Sequence, residues 1–362
     1  MQDSKLLRLS HGVSIFVFFL LANVPVLSGY TPASYNIWIS YLLSLVPVAI
    51  LYFTYVKLCN LYPEKNIFEI FNTIYGNIAG KIFSVLYILY ALNLAVFNFR
   101  YNSEFVSVMA LPNTPQIVLL LFFCIICFYI VYLGSKCLGR FCAYLLPITL
   151  VTILCFIVFS FNLHDYSHFE PIFVEDIPQI LDSTFLTFSV PFGEFVICLV
   201  FFPEIEKKKK GYKLLSLTFI ISAIVLVLIM LNDLLVLGAP TMSRLYFPTY
   251  IAISLIDVSF LSNVEVFSIL VFLLAGIIKV SICVMVAYKG IEFMFFKNKE
   301  PKFKSVIIAS LSFICCVVAN FIFENTMQLF EIIGIYKYVC FLFAVFPSFT
   351  WIFGIIKKKK AV

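Results

Sequence analysis

Ser189-Val190-Pro191-Phe192-Gly193-Glu194 interrupts an apolar run at 181–203 that is otherwise long enough to cross a bilayer. Proline removes a helical hydrogen bond and clashes with the preceding turn, so this stretch predisposes its helix to unwind near mid-membrane, with a carboxylate beside the break. A second interruption, Ala22-Asn23-Val24-Pro25 with Gly29 beyond, falls inside the apolar run at 12–34. Backbone unwound at that depth is tolerated only where it faces protein or a cavity. Two such breaks therefore point to one internal site.

The rest of the chain supplies the frame for these breaks. Of 362 residues, 63% are hydrophobic and 12% charged, and the mean hydropathy is +1.06. A soluble domain carries about twice that charge, which excludes a globular protein of the ordinary kind. Apolar segments occur at 12–34, 37–59, 81–102, 116–133, 141–161, 181–203, 213–235, 264–288, 304–323 and 333–356, each long enough to span as a helix. The fold class read from them is an all-α polytopic membrane protein with about ten transmembrane helices. The chain is taken as one transmembrane domain. The polar stretch 61–80, with Pro63, Gly76 and Gly80, reads as a reentrant or interfacial helix, and 236–263 has room for a short surface helix.

Charge sets the orientation. Twenty-one of the 25 Lys and Arg fall on one side of the ten spans, including the blocks Lys207 to Lys210 and Lys357 to Lys360. The other side holds Arg100, Arg244 and Lys337, together with an acidic loop at 162–182. The excess of basic residues places both termini in the cytoplasm, and the short basic blocks read as loop anchors at the lipid bilayer, not as a nucleic-acid face.

Because the broken helices are the first of each set of five, they suggest two inverted five-helix repeats, about 10–161 and 181–356, as in leucine-type transporters. In that architecture half-helix N-termini meet a substrate carboxylate, while freed carbonyls meet an amine or a cation. A zwitterionic amino acid satisfies both. Plain proline kinks are the simpler alternative.

Glu194 and Lys279 are the two charges placed most clearly inside spans, where each is costly unless paired or hydrated. Glu194 at the break is positioned to bind freed amides, take a proton or pair with a cation. Lys279 supplies a fixed positive charge where sodium-coupled relatives of the fold place a cation. The alternative is a structural pairing of the two, and both readings require Lys279 to face the bundle. The 11 cysteines sit mostly in apolar runs, and no phosphate loop, metal cluster or nucleophile triad is present. Neither an enzyme activity nor a cofactor is expected.

Several stretches carry a family resemblance: Asn36-Ile37-Trp38-Ile39, Leu61-Tyr62-Pro63, Arg100, Leu111-Pro112-Asn113-Thr114-Pro115, Arg140, Pro191-Phe192-Gly193-Glu194, Leu237-Gly238, Tyr246-Phe247-Pro248 and Glu265. In this order they resemble the spore germination permeases, the B subunits of GerA-type nutrient germinant receptors, which are similar to the amino acid-polyamine-organocation superfamily. The resemblance implies a nutrient sensor working with A-type and C-type partner subunits in the spore inner membrane. It also implies a pocket lined by Ala22, Leu94, Phe192, Lys279 and Cys283, beside the residues of the two breaks. The chain departs from the family where Ala22-Asn23-Val24 replaces a Gly-x-Gly and where Asn263 and Val264 stand in place of an arginine. Phe272 replaces a frequent tryptophan, and Lys279 a small polar residue. A true permease with alternating access and a ligand-free scaffold subunit are the competing functions.

Overall fold

The computed structural model describes residues 7–24, 35–170, 177–205, 211–256, 265–296, 301–323 and 325–360. Among them the chain is almost wholly helical. We number the spans α1 (Leu9–Leu21), α2 (Ile37–Leu61), α3 (Ile67–Met109), α4 (Gln116–Leu133) and α5 (Ser135–Phe159) in the first half. The second half contributes α6 (Ile177–Glu204), α7 (Gly211–Leu237), α8 (Glu265–Phe296), α9 (Lys304–Phe321) and α10 (Thr326–Lys360). Nine of these are long and apolar enough to cross a membrane, and the described part of α1 is a shorter apolar helix. The protein is a multi-pass integral membrane protein. Pro25, Gly29 and the Lys207 to Lys210 block lie outside the described residues.

Burial sorts the helices into a centre and a rim. In α6, 89% of the most apolar stretch is buried, against 33% in α4. Every residue of α1 from Gly12 to Leu21 is buried as well, packed against α5, α7, α8 and the second half of α6. A helix apolar on all sides belongs inside a bundle. The rim helices instead turn a stripe outward: Tyr144, Ile148, Val151 and Leu154 of α5 are all exposed, at the i, i+3 and i+4 spacing of one helical face. In water such a stripe is unfavourable; facing lipid chains it is not.

Within the stretch 61–80, Leu61 ends α2 and the residues from Ile67 onward form the start of α3. Asn66 caps it: its side-chain oxygen accepts from the Glu69 amide at 2.9 Å, and the Glu69 carboxylate accepts from the Asn66 amide at 2.9 Å. Ile67, Phe68, Ile70, Phe71 and Ile74 form its buried face. At Gly76 the backbone turns to φ 85°, which only glycine adopts without strain, and the helix bends into the membrane span proper. Asn66→Ala is expected to cost about 1 kcal/mol, measured as a lowered midpoint of unfolding in detergent. Beyond α7, the connection holds two short helices, Ala239–Met242 and Pro248–Ser254.

Ion pairs tie the ends of the bundle together. Arg100 and Glu104, one helical turn apart in α3, pair at 2.7 Å, and Glu104 also accepts from Gln116 and Thr326, each at 2.9 Å. Lys337 of α10 pairs with Asp182 at the start of α6. At the opposite end Lys289 of α8 pairs with Glu204, whose carboxylate also accepts from Ser135 at 2.7 Å.

Candidate functional site

Two helices stop being helical at the same place in the bundle. After Leu21 the chain leaves α1 in a turn at Ala22 and Asn23. In α6, Val190 is extended, with φ −131° and ψ 116°, between the helical Ile177–Thr187 and the 3-10 turns of Gly193–Glu204. Pro191 explains the second break, since it supplies no amide and its ring excludes a preceding helical turn.

The breaks bring three side chains from three helices into contact. The Lys279 ammonium of α8 lies 2.5 Å from Glu194 Oε2 and donates to Asn23 Oδ1 at 2.6 Å. Asn23 Nδ2 in turn donates to Glu194 Oε2 at 3.1 Å. The Phe19 ring covers the ammonium, with its centroid at 5.2 Å. Lys279 is 0% exposed, Glu194 3% and Asn23 5%, so the whole triangle is closed off from lipid and bulk water. Unpaired, either charge at this depth costs several kcal/mol; paired and hydrogen-bonded, their sum is neutral. Among the described residues only Oε2 of the Glu194 carboxylate is bonded.

A cavity adjoins the triangle. Asn23 and Glu194 line it with Val190, and α3 and α10 supply the far wall through Asn98, Tyr101 and Tyr336 among others. Among the described residues the buried Tyr101 hydroxyl has no hydrogen-bond partner, and the Tyr336 hydroxyl lies against the Cys340 thiol. The Asn98 amide donates to the Leu94 carbonyl at 2.8 Å, which leaves its side-chain oxygen for the cavity. The free space amounts to about 40 Å³, which is room for a few waters.

Ala22 and Val24 are buried beside Asn23, and Pro191 is buried in the α6 break, whereas Pro25 lies outside the described residues. Gly193 sits against α10, where an added Cβ would stand 3.1 Å from that of Ala344. Leu94, Phe192 and Cys283 are fully buried but do not line this cavity. The Phe192 ring packs towards Phe219 at 6.4 Å, and its carbonyl accepts from the Tyr52 hydroxyl at 3.4 Å. Cys283 lies one turn along α8 from Lys279.

Asn98, Tyr101 and Tyr336 are the polar lining residues that sequence reasoning missed, beside the apolar Phe97, Leu329 and Ile333. A signal existed for the first: Asn98 and Asn102 stand four apart in an apolar span, so they share one face. Nothing comparable singles out two tyrosines among 20.

Comparison with known proteins agrees with this architecture. The chain is similar to "Spore germination protein KB" of Bacillus subtilis (strain 168), with 25% identity over 355 residues covering 96% of this chain and 94% of that relative. It is also similar to "Spore germination protein B2" of the same organism, with 23% identity covering 89% of this chain and 87% of the relative. Among solved structures, the fold resembles MhsT in complex with L-phenylalanine, with a TM-score of 0.66 at 12% identity, covering 94% of this chain and 87% of that one. It likewise resembles a Na+-coupled sialic acid symporter in a substrate-bound outward-open state, with a TM-score of 0.63 at 10% identity, covering 96% and 78% of the two chains. These neighbours show a leucine-transporter-like fold, in keeping with two five-helix repeats. The family described as "Spore germination protein" matches residues 15–328, and the chain belongs to that family.

Proposed function

We propose that this protein is the nutrient-sensing subunit of a spore germinant receptor. A small nutrient, an amino acid by the chemistry of the site, binds between the breaks of α1 and α6. The observation that carries the reading is the cavity wall. A carboxylate with one oxygen unbonded among the described residues, an amide oxygen and the phenols of Tyr101 and Tyr336 converge there, beside an ion pair that already cancels its own charge. Acceptors of this kind suit a ligand ammonium, and the phenols can donate to a carboxylate.

The free space is small for an amino acid larger than the smallest, so ligand entry is expected to part α1 and α6 from α3 and α10. Binding then favours an opened arrangement of the bundle. The energy available to partner subunits is no larger than the ligand's differential affinity for the two arrangements. The reading includes A-type and C-type partners, the spore inner membrane and cytoplasmic termini, supported by the family and by the one-sided distribution of Lys and Arg.

A permease with alternating access is the second reading, favoured by the transporter folds that the bundle resembles. Purified protein in liposomes separates the two: a sensor gives no steady uptake of radiolabelled amino acid, and steady uptake establishes the permease. For the site, Tyr336→Phe and Asn98→Ala are each expected to raise the half-maximal nutrient concentration for germination about tenfold, the equivalent of one lost hydrogen bond. An unchanged dose response at unchanged protein level would remove the cavity from the mechanism.

A further inference from the structure

The Lys279 ammonium is held as a small cation is held. It is buried, it is coordinated by oxygens from both broken helices, Asn23 Oδ1 at 2.6 Å and Glu194 Oε2 at 2.5 Å, and an aromatic face closes a further side. Discontinuous helices are where membrane bundles of this kind coordinate alkali cations. Here the oxygens at the breaks are occupied by a charge bonded covalently to α8. Arg100 and Glu104, a second buried pair in contact among the described residues, are likewise matched one to one.

We infer that Lys279 is a tethered counter-cation: it takes the place of a bound Na+ or K+ at the breaks, and the folded bundle therefore has no requirement for either ion. Removing the side chain leaves the Glu194 carboxylate and the Asn23 amide oxygen facing a space of ammonium size, and an alkali cation then enters it. The inference concerns the empty bundle and does not depend on which nutrient binds or on whether the protein senses or transports.

The test is the melting temperature of the full chain in detergent, compared in NaCl, KCl and choline chloride at equal ionic strength. The wild type is expected to melt within about 1 °C in all three, since no alkali ion binds the native state. Lys279→Ala is expected to melt higher in NaCl or KCl than in choline chloride by about 3 to 6 °C, as an ion that binds only the native state requires. The double variant Glu194→Gln, Lys279→Ala, which has no carboxylate left to compensate, is expected to lose that difference. A wild type stabilised by Na+ or K+ over choline overturns the inference, as does a Lys279→Ala protein indifferent to the cation. Should Lys279→Ala fail to accumulate, Lys279→Gln keeps more of the side-chain volume and is put through the same comparison.

Discussion

Lys279→Met alone and Glu194→Leu alone are each expected to destabilise the bundle by about 3 to 5 kcal/mol, whereas the double variant regains most of that loss. The reason is an asymmetry of burial. Each single change leaves one full charge in the centre of the bundle, with the remaining partner atoms positioned for a group that is gone. The double change replaces two charges that cancel with two side chains of comparable volume, which packed interiors tolerate. Lys279 and Glu194 are 0% and 3% exposed, so the few waters of the adjoining cavity replace only part of the lost pairing. Unfolding in detergent at several denaturant concentrations, with all four proteins of the cycle, reads the coupling directly.

The same four proteins separate architecture from sensing. If the pair merely holds α6 against α8, spores carrying the stable double variant germinate at the usual nutrient concentration. If Glu194 presents its second oxygen to the ligand, the double variant is stable but no longer answers the nutrient. The second outcome is expected, because Glu194 lines the cavity while Lys279 does not. Equal stability with an unchanged response would return the pair to a structural role.

How much of this was written in the sequence follows from what local pattern can encode. Each span is announced by its own residues, since a helix in lipid must satisfy its backbone internally and present apolar side chains for about 20 residues. Thus Gln116–Leu133 matches the expected 116–133, and Lys304–Phe321 the expected 304–323. The α6 break was equally legible, because Pro191 acts on its own turn. Glu194 and Lys279 could be picked out singly as charges in apolar runs, but 85 residues separate them, and Asn23 lies 256 residues from Lys279. No periodicity spans such distances; only the packing of α1, α6 and α8 decides that they meet. The far wall of the cavity fails for a different reason: with 43 phenylalanines and 20 tyrosines, an aromatic at the site looks like any that faces lipid.

Gly276→Val is expected to be the most damaging single substitution along α8 outside the charge pair. A Cβ built at this position would stand 1.8 Å from Asn102 Oδ1 and 2.5 Å from Asn102 Cγ, far inside van der Waals contact. Small residues are what allow membrane helices to approach this closely. Asn102 cannot simply swing away. It is buried in α3 and donates to the Asn98 carbonyl at 2.6 Å, so yielding breaks a hydrogen bond in a medium that offers no replacement. The remaining route is separation of α3 from α8, and overpacking of this kind costs about 1 to 3 kcal/mol or more. Because Asn98 lines the cavity and Lys279 lies one turn from Gly276, that separation also pulls the cavity wall away from the ion pair. The expected result is a lowered melting temperature together with a nutrient response that is lost, not shifted. Truncating the obstacle supplies the control: in an Asn102→Ala background, Gly276→Ala is expected to cost less than it does alone. If the two substitutions prove additive, close approach at Gly276 is not what sets the spacing of these helices.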